Sequence, residues 1–498
     1  MAATLRQIKA LGVDRVKVSV VWQLVAPDAS SHHKPKFDAT NPASYPYGAW
    51  TRWDQLAAWS KLLGLKVYFQ ITPPAPAWAT SGPPEKQGTG YSWSEQPNAR
   101  YFRDFVKAIG RRYSGHWGTS NPGSLVPPGS LGVGGRNGVT PTASNPSPPL
   151  QRVNYWGVWN EPNEPGWLSP QFKIVHGHRI DTAPGMYRRL VDAAYSGLSS
   201  SGHRHDTFLL GETASHGWIY PIPFAQELYC VDSRYRPLTG TAARNEGCPQ
   251  KGRRSTFTHR HPGLFAFDGF AYHPYSFDTP PSRTMSDPNL ITLANLGKMR
   301  RAVDRARGAY GKDPHGGVNM YLTEWGYKTN PPNPFVKTSL NEQAIWLNEG
   351  EYMTYQYSHV TALAQFLLVD NTPAAGTVPG TRSYWSTFQT GLIGLSGRRK
   401  PAYASFRLPI WLPSSRHGSH VTVWGQFRPA AHGTVQSGAL RYKRHGSKRW
   451  GTLTRISTRN GEGFVAVRVR IPAAGRIKLS WRNPHNGKVY YSRVVGIH

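Results

Sequence analysis

The sequence predicts an α/β chain built as a (β/α)8 TIM barrel without its first strand, followed by a small all-β sandwich. Three observations carry this. Short apolar, β-branched runs alternate with helical periodicity from Arg15 to Val369. Most of these runs lack the in-and-out alternation of a half-exposed strand, as parallel strands covered on both faces should. After Trp411 the pattern changes to brief alternating runs cut by Gly, Asn and Pro.

The elements follow in order. Ala3–Leu11 reads as a helix ending at Gly12. Arg15–Val21, Lys66–Ile71, Val153–Trp159, Thr207–Gly211, Gly269–Tyr272, Asn319–Thr323 and Ala362–Val369 read as strands. Between them Thr51–Leu63, Asn98–Tyr113, Pro184–Ser200, Leu290–Ala309 and Leu340–Tyr357 read as helices. Pro184 suits a helix start, and Gly64 and Gly202 suit the left-handed residue past a helix end. A (β/α)8 barrel opens with a strand, yet only a helix precedes Arg15. The first strand is therefore expected to be absent: either the start lies too far downstream or seven strands close imperfectly. Trp117–Leu150 and Pro221–Pro262 read as long loops without helix or strand, of the kind that shapes clefts. The domain boundary is placed at residue 414, giving a barrel over 1–413 and a sandwich over 414–498, with strands from Val421–Arg428 to Lys488–Val495.

Composition bounds the function classes. Lys and Arg number 59 against 27 Asp and Glu, so the field favours anionic partners such as acidic glycans or wall polymers. From Arg416 to the end there are 16 Lys or Arg and one acid, Glu462, which concentrates that expectation on the sandwich. No helix-turn-helix, RNP-like motif or zinc ligand set points to nucleic acid. No apolar run reaches the ~20 residues of a membrane span. Cys230 and Cys248 suit a disulfide, which implies an oxidising compartment; a pair of free thiols is the alternative. The opening MAATLRQIKALG is no signal peptide, but an upstream start could restore one, so its absence weighs little against export, and a secreted or envelope-associated monomer is expected. No motif calls for a metal or organic cofactor.

Chemistry concentrates where strands end. VNYWGVWNEPNE runs from an apolar strand straight into Glu161, and MYLTEWGYK does the same into Glu324. Side chains at the C-terminal ends of barrel strands line the active site. Three β/α units apart, the two carboxylates face each other across the mouth. That pairing is what glycoside hydrolysis needs: one protonated to serve the leaving oxygen, one ionised to attack or to activate water. A third strand runs into Ala271-Tyr272-His273-Pro274-Tyr275, where a tyrosine hydroxyl can hold the ionised carboxylate and His273 can tune the acid. Glu164 and Glu212 are competing carboxylates, expected in supporting or substrate-positioning roles.

WNEPN, EWG and HPY together resemble clan A of the glycoside hydrolases, with cellulase-like family 5 and xylosidase-like family 39 as the nearer likenesses. The resemblance spans Leu5 to Pro409. It implies a TIM barrel and a retaining mechanism, with Glu161 as acid/base and Glu324 as nucleophile. It further implies that Asn160 bonds the sugar 2-hydroxyl and that Tyr275 touches the nucleophile. Trp22, Trp78 and Trp325 become candidate sugar platforms, since a ring can pack on the apolar face of a sugar. The clan often places an Arg against the nucleophile; this chain offers Lys17, a point charge without the bidentate fork. The C-terminal part resembles β-sandwich modules appended to secreted bacterial hydrolases.

The leading expectation is a retaining O-glycoside hydrolase acting on a poly- or oligosaccharide. A non-catalytic carbohydrate- or wall-binding protein on the same scaffold is the alternative, and a basic structural protein of the envelope is a third. If the first holds, the carboxyl groups of Glu161 and Glu324 lie ~5–5.5 Å apart.

Overall fold

The structure is a computed structural model that describes residues 1–81, 94–117, 150–251, 254–312, 316–414 and 419–497. The expected loop at 118–149 and the linker after residue 414 lie outside the described residues.

Seven strands form one wholly parallel sheet in chain order: β1 (Arg15–Val21), β2 (Lys66–Thr72), β3 (Tyr155–Val158), β4 (Thr207–Ala214), β5 (Gly269–His273), β6 (Met320–Trp325) and β7 (Val360–Gln365). Helices alternate with them, among them α1 (Ala2–Ala10), α2 (Thr51–Leu62), α3 (Ala99–Arg112), α4 (Ala183–Ser199), α5 (Leu296–Gly308) and α6 (Leu340–Gln356). The sheet is curled. In a flat sheet β1 and β6 would stand about 24 Å apart, five steps of ~4.8 Å. Instead Lys17 on β1 touches Glu324 on β6 at 2.9 Å.

Alternation along each strand explains the two cores. On β2, Val67, Phe69 and Ile71 join the large helix-facing core, whereas Tyr68 packs inside the barrel with Leu209, Ala271 and Tyr321. Gly157 of β3 lies beside the Tyr68 hydroxyl, and a Cβ there would collide with it. The helices use local signals as well as burial. The Asn98 side chain accepts from the Tyr101 amide to start α3, whose Phe102, Phe105, Val106 and Ile109 form one buried stripe. Ser339 and Glu342 make a reciprocal capping box at the head of α6.

Two sequence expectations are corrected. The segment Pro221–Pro262 is not a loop without helix; it folds into short helices at Pro221–Leu228, Gly240–Asn245 and Arg254–Arg260. Its regular structure escapes periodicity because six to eight residues show barely two turns. The helix expected from Leu290 starts at Leu296, because Thr292 and Asn295 cap a separate 3-10 turn ahead of it. Cys230 and Cys248 are joined as a disulfide.

The C-terminal part is two antiparallel sheets. The smaller holds β8 (Ile410–Trp411), β9 (His420–Gln426) and β12 (Phe464–Arg470). The larger orders β11 (Gly451–Thr458), β10 (Gln436–Arg444), β13 (Gly475–Arg482) and β14 (Val489–Tyr491), with β15 (Val495–Ile497) also on β13. Val423, Phe427, Leu440, Ile477, Leu479 and Trp481 fill the space between them. This unit rests on α6: Trp424 packs against Tyr352 and Tyr355, and Arg428 pairs with Glu351 at 2.9 Å. No helix among the described residues is long and apolar enough to cross a membrane.

One buried ion pair joins α2 to α3. Asp54 accepts from Arg112 Nε at 2.8 Å and from the Tyr113 hydroxyl at 3.0 Å, all three side chains being buried. Asp54→Ala should cost about 3–5 kcal/mol in denaturant unfolding, because it strands a buried guanidinium. Asp54→Leu with Arg112→Met should recover most of that loss.

Candidate active site

The mouth of the barrel is built on left-handed backbone. Trp159, Glu161 and Glu212 have φ of 65°, 36° and 50°, values rarely adopted by residues other than glycine. At Glu161 the backbone turns sharply off β3, and its amide donates to the Glu212 carbonyl at 2.8 Å. The turn aims the Glu161 carboxylate at the strand ends opposite instead of along its own strand.

Five charged side chains meet there. Lys17 Nζ donates to Glu212 Oε2 at 2.8 Å and to Glu324 Oε1 at 2.9 Å. His273 Nδ1 lies 2.9 Å from Glu161 Oε1, and its Nε2 lies 2.8 Å from Glu212 Oε2. Tyr275 donates to Glu324 Oε2 at 3.2 Å, and Trp167 Nε1 donates to Glu161 Oε2 at 3.1 Å. One ligand atom from each of Glu161, His273 and Glu324 lies within 4.8 Å of the others. Glu161 and Glu324 keep some contact with solvent, at 20% and 12% side-chain exposure, while His273 and Glu212 have none.

Burial and charge oppose each other in this cluster, and charge wins. Burial would raise the Glu212 carboxyl, but Lys17 and His273 hold it down at about 2. Burial would lower His273, yet Glu324 and the bonds to Glu161 and Glu212 lift it to about 9. Lys17 is likewise lifted above its ordinary value by Glu212 and Glu324 against the pull of burial. At neutral pH the ring therefore carries a proton on both nitrogens. Three carboxyl groups thus share two basic groups in this cluster.

Not every expected residue joins it. Asn160 is buried, and its Oδ1 accepts from Gln70 Nε2 at 2.8 Å, which orients its amide. Trp22 is wholly buried, stacked on Phe105 and edge-on to Trp78, so the sugar platform expected there is a core ring. Trp78 is 7% exposed, with its indole N–H bonded to Pro27 O; it too is packing. Trp325 is 1% exposed and lies against Gly350 of α6, on the helix side of the sheet. A tryptophan just past a strand can face either layer, and the sequence does not say which. Exposed rings lie elsewhere: Phe277, two residues past Tyr275, stacks on His216, and His216 pairs with Glu164 at 2.7 Å.

Other side chains of the site were not singled out from the sequence. Tyr68 and Gln70 both bond Glu212, and Thr323 Oγ1 donates to it at 2.9 Å. The signal was available: Lys17/Ser19 and Tyr68/Gln70 are polar residues two apart inside apolar runs, which places them on the inner face. Glu212, expected in support, is the hub that all of them share.

The trio Glu161, His273 and Glu324 has the reach to grip a cation. Lys17 Nζ already lies 2.9 Å from Glu324 Oε1, so a cation there would share that carboxylate with an ammonium.

Comparisons with known proteins can be set beside this geometry. No family model matches the chain, and no curated protein matches it in sequence. Among solved structures it is similar to Bacteroides uniformis β-glucuronidase 2 covalently bound to cyclophellitol-6-carboxylate aziridine, at 9% identity over 100% of this chain and 43% of that one, TM-score 0.40. It is similar to the Thermotoga maritima β-glucosidase in complex with castanospermine at 12% identity over 80% of this chain and 82% of that one, TM-score 0.45. It is similar to the exo-β-1,4-mannosidase Op5Man5 of Opitutaceae bacterium strain TAV5 at 14% identity over 82% and 54%, TM-score 0.40. The chain spans about half the length of the glucuronidases it matches.

The shifted groups give stability a defined pH window. Glu212 contributes fully above its unfolded value of 4.5 and loses that contribution as pH falls towards about 2. His273 contributes fully below 6.5 and loses it as pH rises through about 9. Stability from this cluster should therefore peak between 4.5 and 6.5. Glu212→Gln should flatten the acid limb in urea unfolding from pH 2 to pH 7. An acid limb of unchanged slope would place the responsible carboxylate elsewhere.

Proposed function

We propose that the chain is a retaining O-glycoside hydrolase acting on an oligo- or polysaccharide. The observation that carries this reading is the approach of Glu161 and Glu324 oxygens to within 4.8 Å of each other. So close an approach supports direct attack by a carboxylate, the arrangement of retaining enzymes, whose carboxyl groups lie ~5–5.5 Å apart.

The roles follow from the partners. Glu324, paired with Lys17 and steadied by Tyr275, attacks the anomeric carbon and forms a glycosyl ester. Glu161 gives its proton to the glycosidic oxygen as that bond breaks, and the leaving group departs as an alcohol. Esterification removes the Glu324 charge. Glu161, having given up its proton in the first step, is then the base that takes a proton from water in the second. His273, fixed between Glu161 and Glu212, keeps the acid's carboxyl aimed at the mouth. Asn160, oriented by Gln70, presents its amide to a substrate hydroxyl. Phe277 offers a ring for a sugar face.

The C-terminal unit supplies a second element of the reading, a surface for an anionic polymer. On the outer face of its larger sheet Arg441 pairs with Lys478 and Lys443 with Arg476. Like charges directly opposite on a sheet destabilise it. Lys478 also lies 4.5 Å from the Trp450 ring and 4.1 Å from that of Tyr491, and burial together with Arg441 and Lys443 holds its pKa below the ordinary lysine value. A polyanion would relieve that repulsion. An oxidising, extracellular or envelope setting accords with the disulfide and with such a ligand.

Glu324→Gln should reduce aryl-glycoside hydrolysis at least 10³-fold while leaving the unfolding midpoint close to that of the parent. Glu161→Ala should spare substrates with good leaving groups and abolish turnover of those with poor ones, with the first-formed anomer retained by NMR. Inversion of the anomer, or full activity of the Glu324 variant, would reject the scheme. For the sheet face, Arg441→Ala with Lys478→Ala should lower the salt needed to elute the protein from an immobilised acidic polysaccharide and leave elution from a neutral one unchanged.

A further inference from the structure

The loops that follow β6 and β7 build a wall beside the mouth. β6 leads through Glu324 to Lys328 and Phe335, and β7 leads to Phe366, Arg382 and Phe388. Both loops leave the C-terminal ends of their strands, the end that carries Glu161 and Glu324. Rings connect the wall to the reacting centre. Phe388 lies edge-on to Phe366 at 5.3 Å, and Phe366 edge-on to Tyr275 at 6.4 Å, whose hydroxyl donates to Glu324. The wall is pinned from behind. Asn333 Nδ2 donates to Trp385 O at 3.2 Å and to Gln389 Oε1 at 3.1 Å, and buried Lys400 donates to both Thr329 Oγ1 and Asp370 Oδ1.

The outer surface carries one arrangement twice. Lys328 Nζ stands 4.7 Å from the centre of the Phe388 ring, and the Arg382 guanidinium stands 4.7 Å from that of Phe335. Both rings reach solvent, at 40% and 37% exposure. Among the described residues neither cation has a carboxylate oxygen within 4.0 Å. Lys17 and Lys400, enclosed at the same end of the barrel, each hold one. Lys328 instead donates to Ser386 O at 3.2 Å, and burial draws its pKa below the ordinary lysine value against the opposing pull of Asp278. Asp278 is engaged elsewhere: its Oδ1 accepts from the Thr338 hydroxyl at 2.9 Å.

We infer that this wall is a subsite for a sugar ring that bears a carboxylate or a sulfate, so that the glycan drawn into the mouth is an acidic one. The exposed part of each phenyl ring suits the C–H face of a sugar. The cation beside it meets a charged substituent of that sugar, Arg382 through its planar fork and Lys328 as a point charge. Partial burial of Lys328 weakens its hydration and strengthens its attraction to an anion. Position follows from the ring contacts. Two of them separate Phe388 from Tyr275, so the wall holds a neighbour of the reacting sugar, not that sugar itself. Glu161 stands across the mouth on the loop after β3, and the leaving group departs on its side. The charged sugar therefore belongs to the part of the chain that stays with Glu324. The inference rests on the glycosidase reading of the mouth, but binding tests it without turnover.

Calorimetric titration of the full chain decides it, in a Glu324→Gln, Arg441→Ala, Lys478→Ala background that removes both turnover and the contribution of the C-terminal face. The probes are hexuronate oligosaccharides, O-sulfated oligosaccharides, and their carboxyl-reduced and desulfated counterparts. At least one acidic set should bind about tenfold or more tighter than its neutral counterpart, and salt should erode that advantage. Which set gains tells carboxylate from sulfate. Adding Lys328→Met and Arg382→Gln should abolish the advantage at unchanged melting temperature. Lys328 also holds the Ser386 carbonyl, so Arg382→Gln alone, which removes no hydrogen bond among the described residues, should lose part of it. The inference is overturned if no acidic set outbinds its neutral counterpart, or if the advantage survives both substitutions. Absence of the preference in a parent chain that hydrolyses neutral glycosides would remove the wall and leave the hydrolase. A preference that depends on the wall, in a parent chain that turns over no glycoside, would do the reverse.

Discussion

Lys17 is bound to two carboxylates that belong to strands on the far side of the sheet. Among the described residues β1 has a backbone ladder on one side only, and none that ties it to β4 or β6. Lys17 ties it to both. Glu212 is fully enclosed, and an unpaired carboxylate so placed would cost several kcal/mol. With Lys17 and His273 beside it the charge is held, and Tyr68, Gln70 and Thr323 satisfy the remaining lone pairs. The curl of the barrel and the electrostatics of the mouth are therefore one arrangement. A neutral residue at position 17 would leave Glu212 short of a counter-charge and β1 free to lift from the far wall.

This shared arrangement explains why the chain departs from the arginine that its likeness to clan A suggested. A guanidinium spreads its charge over a plane and suits one carboxylate held bidentately. The space here lies between two carboxylates on different strands, and His273 Nε2 comes within 3.4 Å of the same nitrogen. A compact ammonium reaches both acids from one point. Glu212 Oε2 also bridges these two basic groups, at 2.8 Å from each, and offsets the repulsion between them. Glu212 thus does more of the organising than either Glu161 or Glu324.

Much of this was legible in the sequence, and the failures have specific causes. The seven strands and the main helices show in periodicity because each is covered on a predictable face. Glu161, His273 and Glu324 show because an apolar strand ending in an ionisable group has few structural excuses. Glu212 was visible as a carboxylate after a strand, but its rank was not, since rank depends on what Lys17 and His273 do from other strands. Trp22 and Trp78 misled for the opposite reason. A large ring after a strand is as useful to the helix layer as to a ligand, and only the register decides. The short helices between Pro221 and Pro262 lie below the length at which periodicity separates helix from coil.

The left-handed residues tie these threads together. Backbone in that region costs of order 1–3 kcal/mol at each such residue and persists only where the surroundings over-determine it. Here the three sit within one loop-and-strand contact: Trp159 and Glu161 leave β3, and Glu212 interrupts β4 where its register with β5 shifts. The Glu161 amide on the Glu212 carbonyl locks the two bends to each other. Relaxing either bend would swing a carboxylate out of the cluster and leave His273 with one partner instead of two. Three of the chain's left-handed residues thus gather where three acids and two bases meet, and the compensating bonds are the ones that hold Lys17, and with it β1, against the opposite wall.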